Sequence, residues 1–215
     1  MYLYNLLNIK TMSNDHEKKN YYFSVICFST DLETYKPMDV IRQYLTVQQC
    51  ANIKYDCESR VDYDHCCNNL NGRITQCRFY QILDFEKSEN KNVCNLADSY
   101  IVIINLESSE VYSQIEMILN YIDNFGKKDM KVYFMGLYLD FDEIKCLNSK
   151  EDIKEFLEQQ NIFYEYNEIN YNSPDDIASV ISAITNDTLK NKIYDTLNLT
   201  KEIEKSNKAR SCYLF

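Results

Sequence analysis

The sequence predicts an α/β fold, a single doubly wound domain on a mostly parallel six-stranded sheet with one antiparallel hairpin. Three observations carry that expectation. The runs at 100–106 and 131–137 are almost wholly apolar and strand-length, as strands buried on both faces require. Between them Val111, Ile115, Ile118, Leu119 and Ile122 recur at three- and four-residue steps, the spacing of one helix face. Upstream, Asn71-Gly72 separates two strand-like runs, the strongest short-range hairpin signal in the chain.

The elements follow in order. Residues 1–20 end in a polar run and are expected to form an arm. A strand is predicted over 21–29, then a helix from Pro37 to about residue 44, since proline suits a first helical turn. The hairpin strands cover 61–70 and 74–84, with a short helix after them. A helix over 109–125 stops at Gly126. Ser149 is a candidate N-cap for a helix over 149–160, with Asp152 as a weak capping-box partner. A short strand over 162–166 precedes Ser173-Pro174-Asp175-Asp176, which opens a helix running past Leu189 towards Lys208. Alternating strands and helices mean parallel pairing. The organisation expected is an arm at 1–20, a domain at 21–190 and an extended helix and tail at 191–215.

Composition excludes several function classes. A net charge of −10 opposes sequence-independent nucleic-acid binding, which needs a basic surface. The chain has nine cysteines but no Cys-x-x-Cys pair, and its two histidines stand alone, so no zinc site is predicted. The first ten residues place no basic residue before an apolar stretch, so no secretory leader is predicted either. The thiols are therefore expected to be free, several of them as small core side chains. Without an oxidising compartment the two Asn-x-Thr sequons at Asn186 and Asn198 are inert. No apolar run approaches the roughly 20 residues that span a bilayer.

From Ala97 to about Asp187 the chain resembles the Ras and Rab small GTPases. Ala97-Asp98-Ser99-Tyr100 and the apolar run after it are similar to the family's A-D-G strand. Asn105-Leu106-Glu107-Ser108 resembles the segment that follows. The stretch 132–140 takes the place of the strand ending in N-K-x-D, and Ser149-Lys150-Glu151-Asp152 matches the start of the next helix. Ile162-Phe163-Tyr164-Glu165 resembles the strand before the S-A-K motif. Val61-Asp62-Tyr63 is similar to the Rab V-D-F ahead of its hairpin. The resemblance implies a Ras-like domain of the P-loop NTPase type.

The nucleotide motifs are eroded. A phosphate loop needs G-x-x-x-x-G-K-[ST], so that backbone N–H groups cradle phosphates, lysine neutralises them and a hydroxyl binds Mg²⁺. The matching stretch has Thr30 and Tyr35 at the glycine positions, Lys36 at the lysine and Pro37 at the hydroxyl. Asp31 and Glu33 add negative charge there. The second metal motif reads Asp84-Phe85-Glu86-Lys87-Ser88, without the γ-phosphate-sensing Gly or the water-orienting Gln. The step from Asp84 to Ala97 is shorter than the resemblance implies, which weakens order–disorder switching. Ser59 is a poor match to the threonine of the first switch. Of the guanine-reading N-K-x-D only Asp140 remains, and 166–169 does not match S-A-K. Residual nucleotide binding therefore rests on Lys36, Asp84 and Asp140, with Asp84 as the Mg²⁺ ligand. No catalytic residue is assigned, and GTP, GDP and Mg²⁺ are not expected cofactors. Tyr133, Tyr138 and Tyr164 are expected near the nucleotide edge, filling its space.

The last four residues, Cys212-Tyr213-Leu214-Phe215, fit the C-a-a-X prenylation pattern, and a final Phe favours geranylgeranyl. Lys201, Lys205, Lys208 and Arg210 precede them, diluted by Glu202 and Glu204. One prenyl chain gives reversible attachment, so a second signal or a partner is expected. The reading is a prenylated pseudo-GTPase on the cytosolic face of a membrane, held there through Cys212. Its partners would be effector or scaffold proteins, with vesicle trafficking as the setting the family implies. A divergent GTP-binding member and a constitutive subunit of a larger assembly are the alternatives.

Overall fold

Apolar residues alternate towards two different layers along the first strand, β1 (Tyr22–Ser29), and this sets the architecture. Phe23, Val25 and Cys27 join one buried cluster, while Ile26 and Phe28 join the other. The computed structural model describes residues 22–56, 60–66, 74–139 and 147–211. After β1 come α1 (Pro37–Val47), β2 (Ala51–Asp56), β3 (Arg60–Cys66), β4 (Ile74–Gln81) and α2 (Ser88–Cys94). The second half runs β5 (Ser99–Asn105), α3 (Val111–Phe125), β6 (Val132–Tyr138), α4 (Lys150–Gln159), β7 (Tyr164–Asn170) and α5 (Pro174–Ser211). The fold is α/β, with a seven-stranded, mostly parallel sheet in the order β2-β3-β4-β1-β5-β6-β7.

Helices α1 and α5 cover one face and α2, α3 and α4 the other, as the two clusters show. Chain order reverses at β1, which pairs in parallel with both β4 and β5. The predicted hairpin is β3 and β4, antiparallel from Arg60 opposite Tyr80 to Cys66 opposite Ile74. Its turn, with Asn71-Gly72, lies outside the described residues, as do residues 1–21 and Ser59.

The sequence predicts six strands, and seven are present among the described residues. The addition is β2, antiparallel to β3, with a register shift between Ala51 and Lys54 and Asn52 at φ 54°. Ile53 packs onto the core beneath it, so tertiary contact rather than a strong local pattern makes this strand. The strand expected at 162–166 begins and ends later, as β7.

Proline opens α1 as expected. Ser149 caps α4: its Oγ accepts the Asp152 N–H at 3.1 Å and donates to the Asp152 carboxylate at 2.7 Å. Gly126 ends α3, but at φ −90° and ψ 178°, an extended conformation open to any residue. Space explains the glycine there, because a Cβ would stand 2.6 Å from the Ile122 carbonyl oxygen. Within the core, the Tyr44 and Tyr63 hydroxyls bond each other at 2.9 Å and join α1 to β3. Cys27, Cys77 and Cys94 are buried free thiols. Burial pushes the Cys94 thiol up to about 11, so it serves as a packed side chain.

Candidate functional site

In a doubly wound sheet, ligands bind outside the carboxyl ends of the strands, where strand order reverses. Here that place is the β1–α1 loop, flanked by the ends of β4 and β5. Its shape comes from Asp31. One carboxylate oxygen accepts the Glu33 and Thr34 N–H groups, each at 3.0 Å. The other accepts from the Asn105 side-chain amide at 2.8 Å. Ser29 Oγ takes the Asp31 N–H at 3.1 Å, and the Asp31 carbonyl takes the Tyr35 N–H at 2.9 Å. These are N–H groups that a phosphate would otherwise collect, and a carboxylate of the same loop already holds two of them.

The start of α1 is closed in the same way. Helix N-termini attract anions through unpaired N–H groups. Pro37 has none, Met38 N–H donates to the buried Gln81 Oε1 at 3.2 Å, and Asp39 N–H donates to the Lys36 carbonyl at 3.0 Å. Thr30 is buried, and its Oγ1 accepts the Asn105 N–H at 3.0 Å. Tyr35 is 1% exposed and meets Tyr171, from the β7–α5 loop, edge-on at 5.0 Å between ring centroids. The two motif-glycine positions therefore hold core side chains.

A hydrogen-bonded chain continues along this edge. Asn105 Oδ1 accepts the Glu107 N–H at 3.0 Å, and Glu107 Oε1 accepts the Leu139 N–H at 3.1 Å. The Leu139 carbonyl accepts from the Asn172 amide at 2.9 Å. Four loops are thereby tied together across the place a ligand would enter.

Of the sequence-predicted site residues, Lys36 is exposed as the residue before α1 and bonds to no side chain among the described residues. Asp84 follows β4 at the same edge. Its Oδ1 accepts the Glu86 N–H at 2.9 Å and its carbonyl accepts from the Asn90 side chain at 2.7 Å, so it braces the turn that leads into α2. No bond joins Lys36 to Asp84 among the described residues. Phe85 pins this segment, stacked on Phe28 at 6.1 Å and edge-on to Tyr121 at 4.9 Å. Asp140 and Cys212 lie outside the described residues.

Two expectations about tyrosines need correction. Tyr133 and Tyr164 open β6 and β7, so they lie at the opposite pole from the strands' carboxyl ends. Tyr133 Oη donates there to Asp187, which also receives Lys131. Only Tyr138 reaches the edge; Tyr35 and Tyr171 are the tyrosines that fill it. Residues 166–169, set against the S-A-K loop, lie within β7, and 171–173 form the loop at this edge.

The edge is also acidic. Among the described residues, Asp31, Glu33, Asp84, Glu86, Glu107, Glu110, Asp175 and Asp176 outnumber Lys36, Lys87 and Lys150 around it. Helix dipoles favour acids in first turns, which accounts for some of them. Burial raises the Asp31 carboxyl, but bonds from Thr34, Asn105 and Glu33 outweigh this and hold it below the ordinary value. A lowered carboxylate contributes stability that is complete above its unfolded value and lost as pH falls through the folded one. Asp31→Ala should therefore cost about 1–2 kcal/mol at neutral pH, from the lost loop bonds. The gap to the parent should narrow below about pH 4, where the unfolded carboxyl protonates. Urea unfolding of both proteins across that range measures it; a gap that widens in acid contradicts the role given to Asp31.

No family model matches the chain, and no curated protein matches it. Among the described residues no group of three or more His, Cys, Asp or Glu is placed to hold a metal, and no helix is long and apolar enough to cross a membrane.

Proposed function

We propose that this chain is a membrane-tethered, small-GTPase-like protein that uses a Ras-like fold as a protein-interaction platform without nucleotide. The observation that carries this reading is the carboxylate of Asp31 seated on the Glu33 and Thr34 N–H groups. A triphosphate would have to displace it, open the Asn105 link and enter among carboxylates. Like charge at close range that outnumbers the cations there opposes that entry. Lys36 is one cation near the loop, and no glycine leaves room for close phosphate approach.

The Ras-like assignment comes from the resemblance of 97–187, and the α/β topology with its reversal at β1 is compatible with it. The setting in vesicle trafficking comes from that resemblance alone. Attachment through a geranylgeranyl group on Cys212 comes from the last four residues. Effector or scaffold proteins are the partners this reading calls for.

The tether and the closed site are tested separately. Metabolic labelling with an isoprenoid analogue should mark the parent and not Cys212→Ser, and membrane fractionation should lose the variant. An unlabelled parent would favour a constitutive subunit of a larger assembly. Nucleotide titration reads the site without reference to the tether, and tight binding would favour a divergent GTPase.

A further inference from the structure

We infer that the outer edge of β7, at Tyr164 and Glu168, is a strand-addition site for an extended, lysine- or arginine-bearing segment of a partner protein. This deepens the interaction-platform reading and rests on it. A sheet with two ends has two edges, and natural sheets protect edges from pairing with bulges, short strands or lysines. The β2 edge carries such devices: a register shift, Asn52 at positive φ, and Lys54. The β7 edge has neither bulge nor proline. Its register with β6 is unbroken over seven pairs, from Val132 opposite Tyr164 to Tyr138 opposite Asn170.

Main-chain phase shows which groups face outward. Val132 N–H donates to the Phe163 carbonyl and Tyr171 N–H donates to the Tyr138 carbonyl. Odd-numbered residues of this strand therefore turn their main chain towards β6. Tyr164 and Glu168 turn theirs away, and no described strand pairs with them. A row of outward N–H and C=O groups is what an added strand uses, with flanking side chains giving selectivity.

Charge selects the occupant. Glu165 and Glu168 lie on the strand, and Glu158 of α4 is close enough to Tyr164 to push its hydroxyl up, after burial. Lys131, bonded to Glu165 at 2.8 Å and to Asp187 at 3.0 Å, is a cation among them, and Lys190 also lies near Asp187. A second copy pairing along β7 would set these glutamates against their own counterparts, and like charges across strands are destabilising. A cationic segment meets no such repulsion, and the net charge of −10 favours its approach.

The test uses the full chain and, as probe, a short peptide alternating lysine with threonine and valine. Binding should protect the Tyr164 and Glu168 amides from hydrogen exchange, and the same peptide with glutamate for lysine should not bind. Glu168→Pro removes an outward N–H without touching the bonds to β6, as edge strands tolerate. It should weaken binding about tenfold or more. Glu168→Lys keeps the N–H and reverses the charge, but it also removes the acceptor of the Tyr166 hydroxyl at 2.9 Å. Glu168→Gln, which keeps an acceptor, is its control, and the Lys variant should weaken binding more than the Gln variant does. Protection mapping elsewhere, equal binding by the Pro and Lys variants and the parent, or self-association through β7 in place of peptide binding would each overturn the proposal. The experiment is independent of nucleotide and lipid, so its failure is distinct from failure of the platform reading.

Discussion

Returning the motif residues to the β1–α1 loop is expected to damage the fold without creating a nucleotide site. A Thr30→Gly/Tyr35→Gly/Pro37→Ser variant should lose about 4–6 kcal/mol of stability. Most of that loss lies in Tyr35, which is 1% exposed and packed against Tyr171. Removing a buried aromatic side chain leaves a cavity that the neighbours close only in part. Thr30 adds the bond from its Oγ1 to the Asn105 N–H, and both glycines lose more backbone freedom on folding. The two positions share neighbours, so their costs will not simply add. A loss of this size is a large fraction of the stability of an ordinary domain. Urea unfolding of the variant and of Tyr35→Phe, which keeps the ring, measures it. A triple variant as stable as the parent and newly able to bind GTP would show that the loop is a phosphate site merely plugged by side chains.

Asp98→Ala should cost about 2–4 kcal/mol, the second large effect. Its carboxylate joins three elements at the pole opposite the site. It accepts the Ser24 N–H of β1 at 2.9 Å and both contacts of Lys192 from α5 at 2.8 Å, just before β5 begins. The side chain is 12% exposed, so water replaces little of what is lost. Truncation leaves a half-buried ammonium and a strand N–H without their acceptor. Asp98→Asn keeps an oxygen for Ser24 and should recover part of the loss, which separates the main-chain bond from the ion pair. Thermal unfolding at several salt concentrations checks this; an Asn variant no better than Ala would place the effect in the charge alone.

The sequence made the second half of the fold legible because its elements are long and strongly periodic. The apolar run of β5, the α3 face and the Ser149 cap read directly from local pattern. β2 did not, although Ala51, Ile53 and Tyr55 alternate with polar residues. Six residues with Asn52 at positive φ gain their strand from pairing with β3 and from the core under Ile53. Gly126 is legible as a stop, but part of its reason is not, since closeness to the Tyr100 hydroxyl, from β5, is a tertiary fact.

The candidate site divides in the same way. Loss of glycines and of the Mg²⁺ hydroxyl was visible at Thr30, Tyr35 and Pro37. Asp31 was visible as a repelling charge, and its local pattern, an acid two and three residues before the N–H groups it accepts, also allowed a self-capped loop. Its bond to Asn105, 74 residues away, had no local signal. Tyr164 falls at the pole opposite to the one expected because β7 begins later than the local pattern suggests. Tyr133 stands near the start of the strand expected over 131–137, so its pole was legible in the sequence.

The central claim is that the strand edge where a nucleotide would sit is closed by the protein's own groups. Titrating GTP and GDP into the full chain by calorimetry, with Mg²⁺ present, tests it most directly. No heat beyond dilution up to millimolar nucleotide is the expected result. Micromolar or tighter binding, lost on mutating Lys36 or Asp84, would contradict it and make this chain a divergent GTPase.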